Sequence, residues 1–392
     1  MSDIPRIPDI PRIDVLIPVF NVARTIRGAI ASIQNQTVRD IRIVVVNDGS
    51  TDDTAAILSE ITAADARVET FTRPNGGIVD ALNFGIGQCR AKYLARHDGD
   101  DLADPERFAR QVAYLEANPD CVAVGGAARH IDENGRSLGH VAHIGSPEDS
   151  DPSWAPSREP YILHPFLMTY GARVRDAGGY RHVFHAEDTD LYWRLQETGR
   201  LHNLDDVLGD YRMHTGSISG ASVINGRVSA LNSQLAGISA MRRRRQRPDL
   251  TFSKQAITDY TAARSLERIF RLGARQLGPV ETDHLEVSLA AKLLELTSYR
   301  PFELDLDDCR FIRKAMDKHC AALTPENRAV LRRMCSGAAA RMAAAGQRRG
   351  AMTLVRPWRY AGVLSRLAFR TLLPPALRRF TLRVTGRTLL FK

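Results

Sequence analysis

The tetrapeptide Asp98-Gly99-Asp100-Asp101 brings three carboxylates within four residues. Like charges this close repel one another unless a cation answers them, and closely spaced hard oxygens suit Mg²⁺ or Mn²⁺. A metal held in this way readily bridges to a diphosphate. The plain structural alternative is that residues 98–104 only cap a helix opening at Pro105, since Asp favours loops before helices. Asp48, in Asn47-Asp48-Gly49-Ser50, has the same two readings: an acceptor-only carboxylate for a ligand, or an ordinary Asx turn. A third acidic group, Glu187-Asp188 with Asp190, opens a helical pattern, where the helix dipole favours an ionised carboxylate.

Strands and helices must deliver these groups to one place. The β-branched and apolar runs predict strands over 13–17, 41–46, 68–72 and 93–96. Between them, helical spacing runs over 23–36 (Ile26, Ala29, Ile30, Ile33), from about 52 with Thr51 as N-cap, over 78–88, and over 105–117 with Pro105 in the first turn. Alternating strands and helices imply an α/β fold with a mostly parallel sheet covered on both faces. Ligands in such sheets gather beyond the carboxyl ends of the strands. Asp48 follows the second strand and 98–101 the fourth. Later come a strand near 121–125, an irregular Gly/Ser/Pro-rich stretch over 145–159 and a helix over 188–198. From 223 onward long helical patterns dominate, interrupted by Arg242 to Arg245, read as a solvated face, and by 304–308. The expected organisation is a Pro-rich leader (1–12), an α/β domain (13–222), a helical region (223–340) and a basic tail (341–392).

With 44% hydrophobic and 25% charged residues, the 392-residue chain has a globular composition. Its net charge of +9 is concentrated at one end: from Asn327 onward there are 15 Arg and Lys and no acidic residue, so the rest of the chain is net acidic. In the tail, Arg356, Arg359, Arg366, Arg370, Arg378, Arg379 and Arg383 alternate with Trp358, Tyr360, Phe369 and Phe380. This mixture suits an anionic membrane surface, and nucleic acid is the less favoured partner. Five separated cysteines without CxxC pairing fit reduced thiols. No signal-peptide pattern and no apolar run of roughly 20 residues is present, so the expectation is a cytoplasmic protein lying peripherally on the inner membrane face.

Five stretches, in order over about 13–219, resemble the family-2 inverting glycosyltransferases, whose nucleotide-binding domain has the GT-A fold. They are Ile17-Pro18-Val19-Phe20-Asn21; Val45-Val46-Asn47-Asp48-Gly49-Ser50-Thr51-Asp52; Asn75-Gly76-Gly77 with Ala81 and Asn83; Asp98-Gly99-Asp100-Asp101; and Glu187-Asp188 before Leu191-Tyr192-Trp193-Arg194-Leu195. The resemblance implies a nucleotide-sugar donor (UDP-, GDP- or dTDP-linked), a lipid-linked or saccharide acceptor, and Mn²⁺ or Mg²⁺. It implies that Pro18 and Phe20 border the nucleotide, Phe20 lying against the base, that Asp48 accepts a hydrogen bond from the base, and that Asp98 faces ribose or metal while Asp100 binds the metal. Inversion in one displacement needs a base for the acceptor hydroxyl. Asp188, at the last acidic position of the family's Glu-Asp pair, is the candidate, with Glu187 and Asp190 as competitors. His214 in Tyr211-Arg212-Met213-His214 is a candidate metal or phosphate contact, and His164-Pro165 is a further landmark. One departure is Leu82, where members often carry Arg; the phosphate contact is then either missing or supplied elsewhere, with Arg73 and Arg96 as the candidates.

Three other readings fit less well. A dinucleotide-dependent oxidoreductase needs glycines straight after the first strand, where this chain has Pro18-Val19-Phe20-Asn21. A sugar-nucleotide pyrophosphorylase would open on a Gly-rich basic signature. A membrane- or nucleic-acid-binding protein with a non-catalytic nucleotide domain would explain only the tail.

Overall fold

The computed structural model describes residues 11–213, 223–299 and 302–355. They form two compact units. One comprises the chain up to Asp149 with Pro160–His182 and Glu187–His214; the other comprises Ser150–Glu159, Val183–Ala186 and the chain after His214. The sequence reading has a single cut near 222. The observed division is interleaved because short excursions such as the one carrying Ala155 join the helical core, where Asn327 Nδ2 donates to the Ala155 carbonyl at 2.8 Å.

The first unit runs β1 (Ile13–Val19), α1 (Ile26–Gln34), β2 (Ile41–Asn47), α2 (Thr54–Ala64), β3 (Val68–Thr72), α3 (Ile78–Gln88), β4 (Tyr93–Arg96), β5 (Leu102–Ala103), α4 (Arg107–Ala117), β6 (Cys121–Ile131), β7 (Ser137–Ala142), β8 (Met168–Tyr170), α5 (Gly171–Asp176), α6 (Glu187–Gln196) and β9 (Arg200–Arg212). Every residue of β1 and β2 is buried, the signature of central parallel strands covered on both faces. Side-chain alternation sorts the layers. Ile13, Val15, Ile17 and Val19 pack with Ile26, Ile30 and Ile33 of α1, Leu58 of α2 and Phe108 of α4. Leu16, Val44 and Val46 pack with Val79, Leu82 and Ile86 of α3 and Leu191 and Leu195 of α6. Asp14, turned into this core, is answered fully: Arg42 Nε donates to it at 2.8 Å and the Ala91 amide at 2.7 Å.

The strand order is β3-β2-β1-β4-β8-β6-β9-β5, with β7 on β6. The expected parallel alternation holds for β3, β2, β1 and β4. Beyond them the sheet is mixed: β8 lies antiparallel between β4 and β6, and β6 runs parallel to β9. Register pairs Val19 with Asn47, so β1 and β2 end level and release Phe20 and Asp48 side by side.

Two local expectations change. The helix expected from 23 begins at Ile26, because Asn21 takes a left-handed φ of 54° and the following residues turn. Thr51 is not an N-cap: α2 starts at Thr54, whose amide and hydroxyl donate to Asp52 Oδ1 at 3.0 and 2.6 Å.

The second unit is helical: α7 (Val223–Arg244), α8 (Ala256–Ala263), α9 (Leu266–Gly273), α10 (Pro279–Tyr299), α11 (Leu306–His319), α12 (Pro325–Ala344) and α13 (Arg348–Leu354), around Leu231, Leu235, Leu285, Leu289, Phe311 and Leu331. The expected 340/341 boundary falls inside α12, whose Met342 is a core residue. The Arg run is not simply solvated, since Arg242 pairs with Glu281 at 2.6 Å and Arg243 with Asp249 at 2.9 Å. No helix among the described residues is long and apolar enough to cross a membrane. The tail arginines from Arg356 and the leader through residue 10 lie outside the described residues.

Candidate functional site

Four loops leave the carboxyl ends of β1, β2, β3 and β4 and are stitched together by their own polar atoms. The Asn21 amide donates to Ser50 Oγ at 2.9 Å, and Asn21 Oδ1 accepts from the Thr51 amide at 2.8 Å. Asn75 Nδ2 donates to the Asp48 carbonyl at 3.0 Å, and Thr25 Oγ1 to the Gly99 carbonyl at 2.9 Å. A Cβ on Gly99 would stand 2.8 Å from Val19 Cγ1, so only glycine lets the β4 loop come this close to β1. The result is a floor whose shape is set before any ligand arrives.

Pro18 is buried within β1, whereas Phe20 just beyond it is 48% exposed, an apolar ring left facing solvent. Asp48 is buried. Its carboxylate accepts from the Gly77 amide at 2.7 Å and the Gly76 amide at 3.1 Å, with Arg73 Nε at 3.6 Å. It therefore organises the Asn75-Gly76-Gly77 turn while remaining acceptor-only. Leu82 is a core residue of α3, and Arg73 lies between Asp48 and Asp80.

Asp98, Asp100 and Asp101 each offer an oxygen within 4.8 Å of the others. Asp98 and Asp100 are partly exposed and Asp101 is buried. Asp98 pairs with the buried Arg96. Asp101 Oδ1 accepts from the Arg212 amide at 2.7 Å, and Asp101 Oδ2 is buried with no hydrogen-bond partner. Burial, then Asp98 and Asp100, push the Asp101 carboxyl well above its usual range. The guanidinium of Arg212 grips carbonyls: Nε that of Asp100 at 2.7 Å, Nη1 those of Asp132 and Glu133 at 3.0 and 3.1 Å. Behind the cluster, burial and then Arg107 and Arg96 drive His97 well below its usual value, which keeps it neutral. Its Nδ1 sits 3.3 Å from Arg107, which also donates to the Arg96 carbonyl at 2.7 Å.

Asp188 lies in the first turn of α6, partly exposed, with Oδ1 accepting from the Thr189 amide at 2.7 Å. Burial raises the Tyr180 phenol, with Arg96 opposing and Asp188 and Glu187 adding to the rise, so the same phenol feels the cation of the β4 end and the acids of α6. Tyr180 Oη shares a 2.7 Å hydrogen bond with His164 Nε2, and burial pushes His164 well below its usual value. Asp190 is removed from the competition for the base. It is fully buried and clamped by Arg194, through Nη2 at 2.8 Å and Nε at 3.0 Å, and by Arg181 Nε at 2.9 Å.

The fold thus gathers Phe20, Asp48, Asp98 and Asp100 at one end of the parallel strands, while His214 lies outside the described residues. Sequence reasoning missed Tyr180 and the clamp on Asp190. The only signal for the clamp was the i, i+4 spacing of Asp190 and Arg194, the helical distance for an ion pair.

The sequence pattern of glycosyl transferase family 2 matches residues 14–178. An uncharacterized glycosyltransferase of Haemophilus influenzae is 30% identical over 226 residues, which cover 53% of this chain and 68% of the relative. An O-antigen biosynthesis glycosyltransferase of Escherichia coli is 30% identical over 209 residues, covering 52% and 81%. A chondroitin synthase of Pasteurella multocida is 26% identical over 211 residues, covering 54% of this chain but 21% of that much longer enzyme.

Proposed function

The chain belongs to glycosyl transferase family 2, and from that premise we propose that it moves a sugar from a nucleoside-diphosphate donor to a hydroxyl acceptor with inversion at the anomeric carbon. It is a glycosyltransferase with the GT-A fold. The observation that carries the proposal is the gathering of Phe20, Asp48 and Asp98–Asp101 beyond the carboxyl ends of β1, β2 and β4.

In this reading the exposed face of Phe20 stacks on the base, and Asp48 accepts from a base N–H while keeping its hold on the Gly76–Gly77 turn. Pro18 fixes the end of β1 beneath the nucleotide. Asp98 and Asp100 hold a divalent cation, Mn²⁺ or Mg²⁺, with His214 as a further ligand. The residues fit such a group: three carboxylates converge, and Asp101 carries a buried oxygen with no hydrogen-bond donor. When bound, the cation supplies neutralisation of the charge that develops on the leaving diphosphate.

Asp188 takes the proton of the acceptor hydroxyl while that oxygen bonds to the anomeric carbon. The glycosidic bond to phosphate breaks at the same time, and its electron pair leaves with the nucleoside diphosphate. One in-line attack inverts the centre. Relatives named for O-antigen and chondroitin synthesis support a surface polysaccharide or glycolipid as acceptor. The acid-free basic and aromatic tail expected over 341–392 supports attachment to an anionic membrane surface on the cytoplasmic side.

The test is a screen of UDP-, GDP- and dTDP-sugars with Mn²⁺ and anionic vesicles. Release of one nucleoside diphosphate by enzyme that sediments with the vesicles is the expected result. Folded protein that releases none of the three, or that yields a product of retained configuration, contradicts the proposal.

A further inference from the structure

Arg96 closes β4, with His97 between it and the acid cluster, and only 5% of it is exposed. Its guanidinium pairs with Asp98, and its Nε is buried without a hydrogen-bond partner. Asp101 and Tyr180 also lie within its electrostatic reach. The neighbouring cations are committed differently. Arg212 directs its guanidinium at backbone carbonyls, and Arg107 bonds to Gln111 Oε1 at 3.0 Å and to the Arg96 and Leu167 carbonyls. Arg96 is thus a permanent charge, shielded from water, that grips a carboxylate which the proposed metal site also needs.

A divalent ion entering the cluster meets this guanidinium at close range. Both cations are drawn to Asp98 and they repel each other, and in a water-poor setting that repulsion is strong. The negative diphosphate of a donor reverses the balance, because it adds anionic oxygens to the metal's surroundings. We propose that Arg96 is a positioning residue that holds Asp98 before the metal arrives and competes with the metal for it, so that the divalent cation binds weakly alone and tightly with the donor diphosphate. The inference rests on the metal reading of the Asp98–Asp101 cluster. It makes metal and donor binding mutually dependent, since each raises the other's affinity by the same factor.

The test titrates the full chain with Mn²⁺, following free Mn²⁺ by electron paramagnetic resonance, alone and with UDP or GDP. Wild type is expected to bind Mn²⁺ weakly, and the matching diphosphate should strengthen that binding. Arg96→Gln and Arg96→Met should bind Mn²⁺ alone about tenfold more tightly, with the diphosphate's enhancement reduced in proportion. Arg96→Lys, which keeps the charge, should stay within about threefold of wild type. If Arg96→Met does not fold without metal, Arg96→Gln gives the same readout, and its Tm should rise more on adding Mn²⁺ than that of wild type. Equal or weaker Mn²⁺ affinity in the uncharged variants, with wild-type binding intact, overturns the inference alone. Absence of Mn²⁺ binding in wild type overturns the metal reading with it.

Discussion

Among the described residues, two groups of side chains have the spacing to hold a cation: Asp98, Asp100 and Asp101 in the sheet unit, and Asp283, Glu286 and His319 in the helical unit. Their surroundings differ. In the helical unit, His319 Nε2 is 2.8 Å from Glu286, Lys318 Nζ is 3.1 Å from Asp283 and 3.4 Å from Glu286, and Lys314 is 3.7 Å from Glu286. Two lysines balance the two carboxylates, and His319 shares a hydrogen bond with one of them. In the sheet unit three carboxylates gather, Arg96 pairs with one of them and a backbone amide answers a second. Spacing alone is therefore a poor guide to a metal site. The residual negative charge separates a cluster that attracts a further cation from one that already contains its own.

A parallel contrast lies within α6, where Asp188 and Asp190 stand two residues apart. Asp188→Asn keeps shape and removes basicity, so transfer should fall by about 10²–10⁴-fold while donor binding, measured by calorimetry, stays near wild type. Asp190→Asn breaks a buried clamp on two arginines and should appear instead as lost stability, about 3–5 kcal/mol in denaturant unfolding. Near-normal transfer by Asp188→Asn would shift the base to Glu187.

A smaller effect sharpens the comparison of the two clusters. Burial pushes the Glu286 carboxyl up, but the His319 hydrogen bond, Lys318 and Lys314 outweigh it, and the net shift is downward. A carboxyl depressed in the folded state contributes stability above its unfolded value, and that contribution is lost as pH falls through the folded value. Between about pH 5 and 3, thermal unfolding of wild type should therefore weaken more steeply than that of Glu286→Gln. Identical slopes would mean that this cluster is not the self-contained ion group described above.

The first half of the fold was legible because its signals are local. The β-branched runs of β1 and β2 and the ends of β3, α3 and β4 follow from residue type and period. The order of motifs along those strand ends put Phe20, Asp48 and Asp98–Asp101 together, since parallel strands present their carboxyl ends on one edge. The mixed half was not legible: β8 has three residues, too few for a period, and its place between β4 and β6 depends on long-range pairing. The capping of α2 was misassigned because Thr51, Asp52 and Asp53 are all good caps by type, and what decides among them is the Asn21 side chain arriving from another loop. Arg96 stood out in the sequence only beside Arg73, as a phosphate contact in place of the Arg that Leu82 replaces. Its importance comes from burial, which no local pattern shows.

The central claim, that the cluster at the end of β4 and not the one in the helical unit holds the metal on which donor binding depends, has one direct measurement. Calorimetric binding of the matching nucleoside diphosphate would be compared in Mn²⁺ and in EDTA for wild type, Asp100→Ala and Glu286→Gln. The account predicts metal-dependent binding in wild type and Glu286→Gln, and loss of at least about a hundredfold in affinity for Asp100→Ala in Mn²⁺ and for wild type in EDTA. Undiminished binding in EDTA, or by Asp100→Ala, would contradict it.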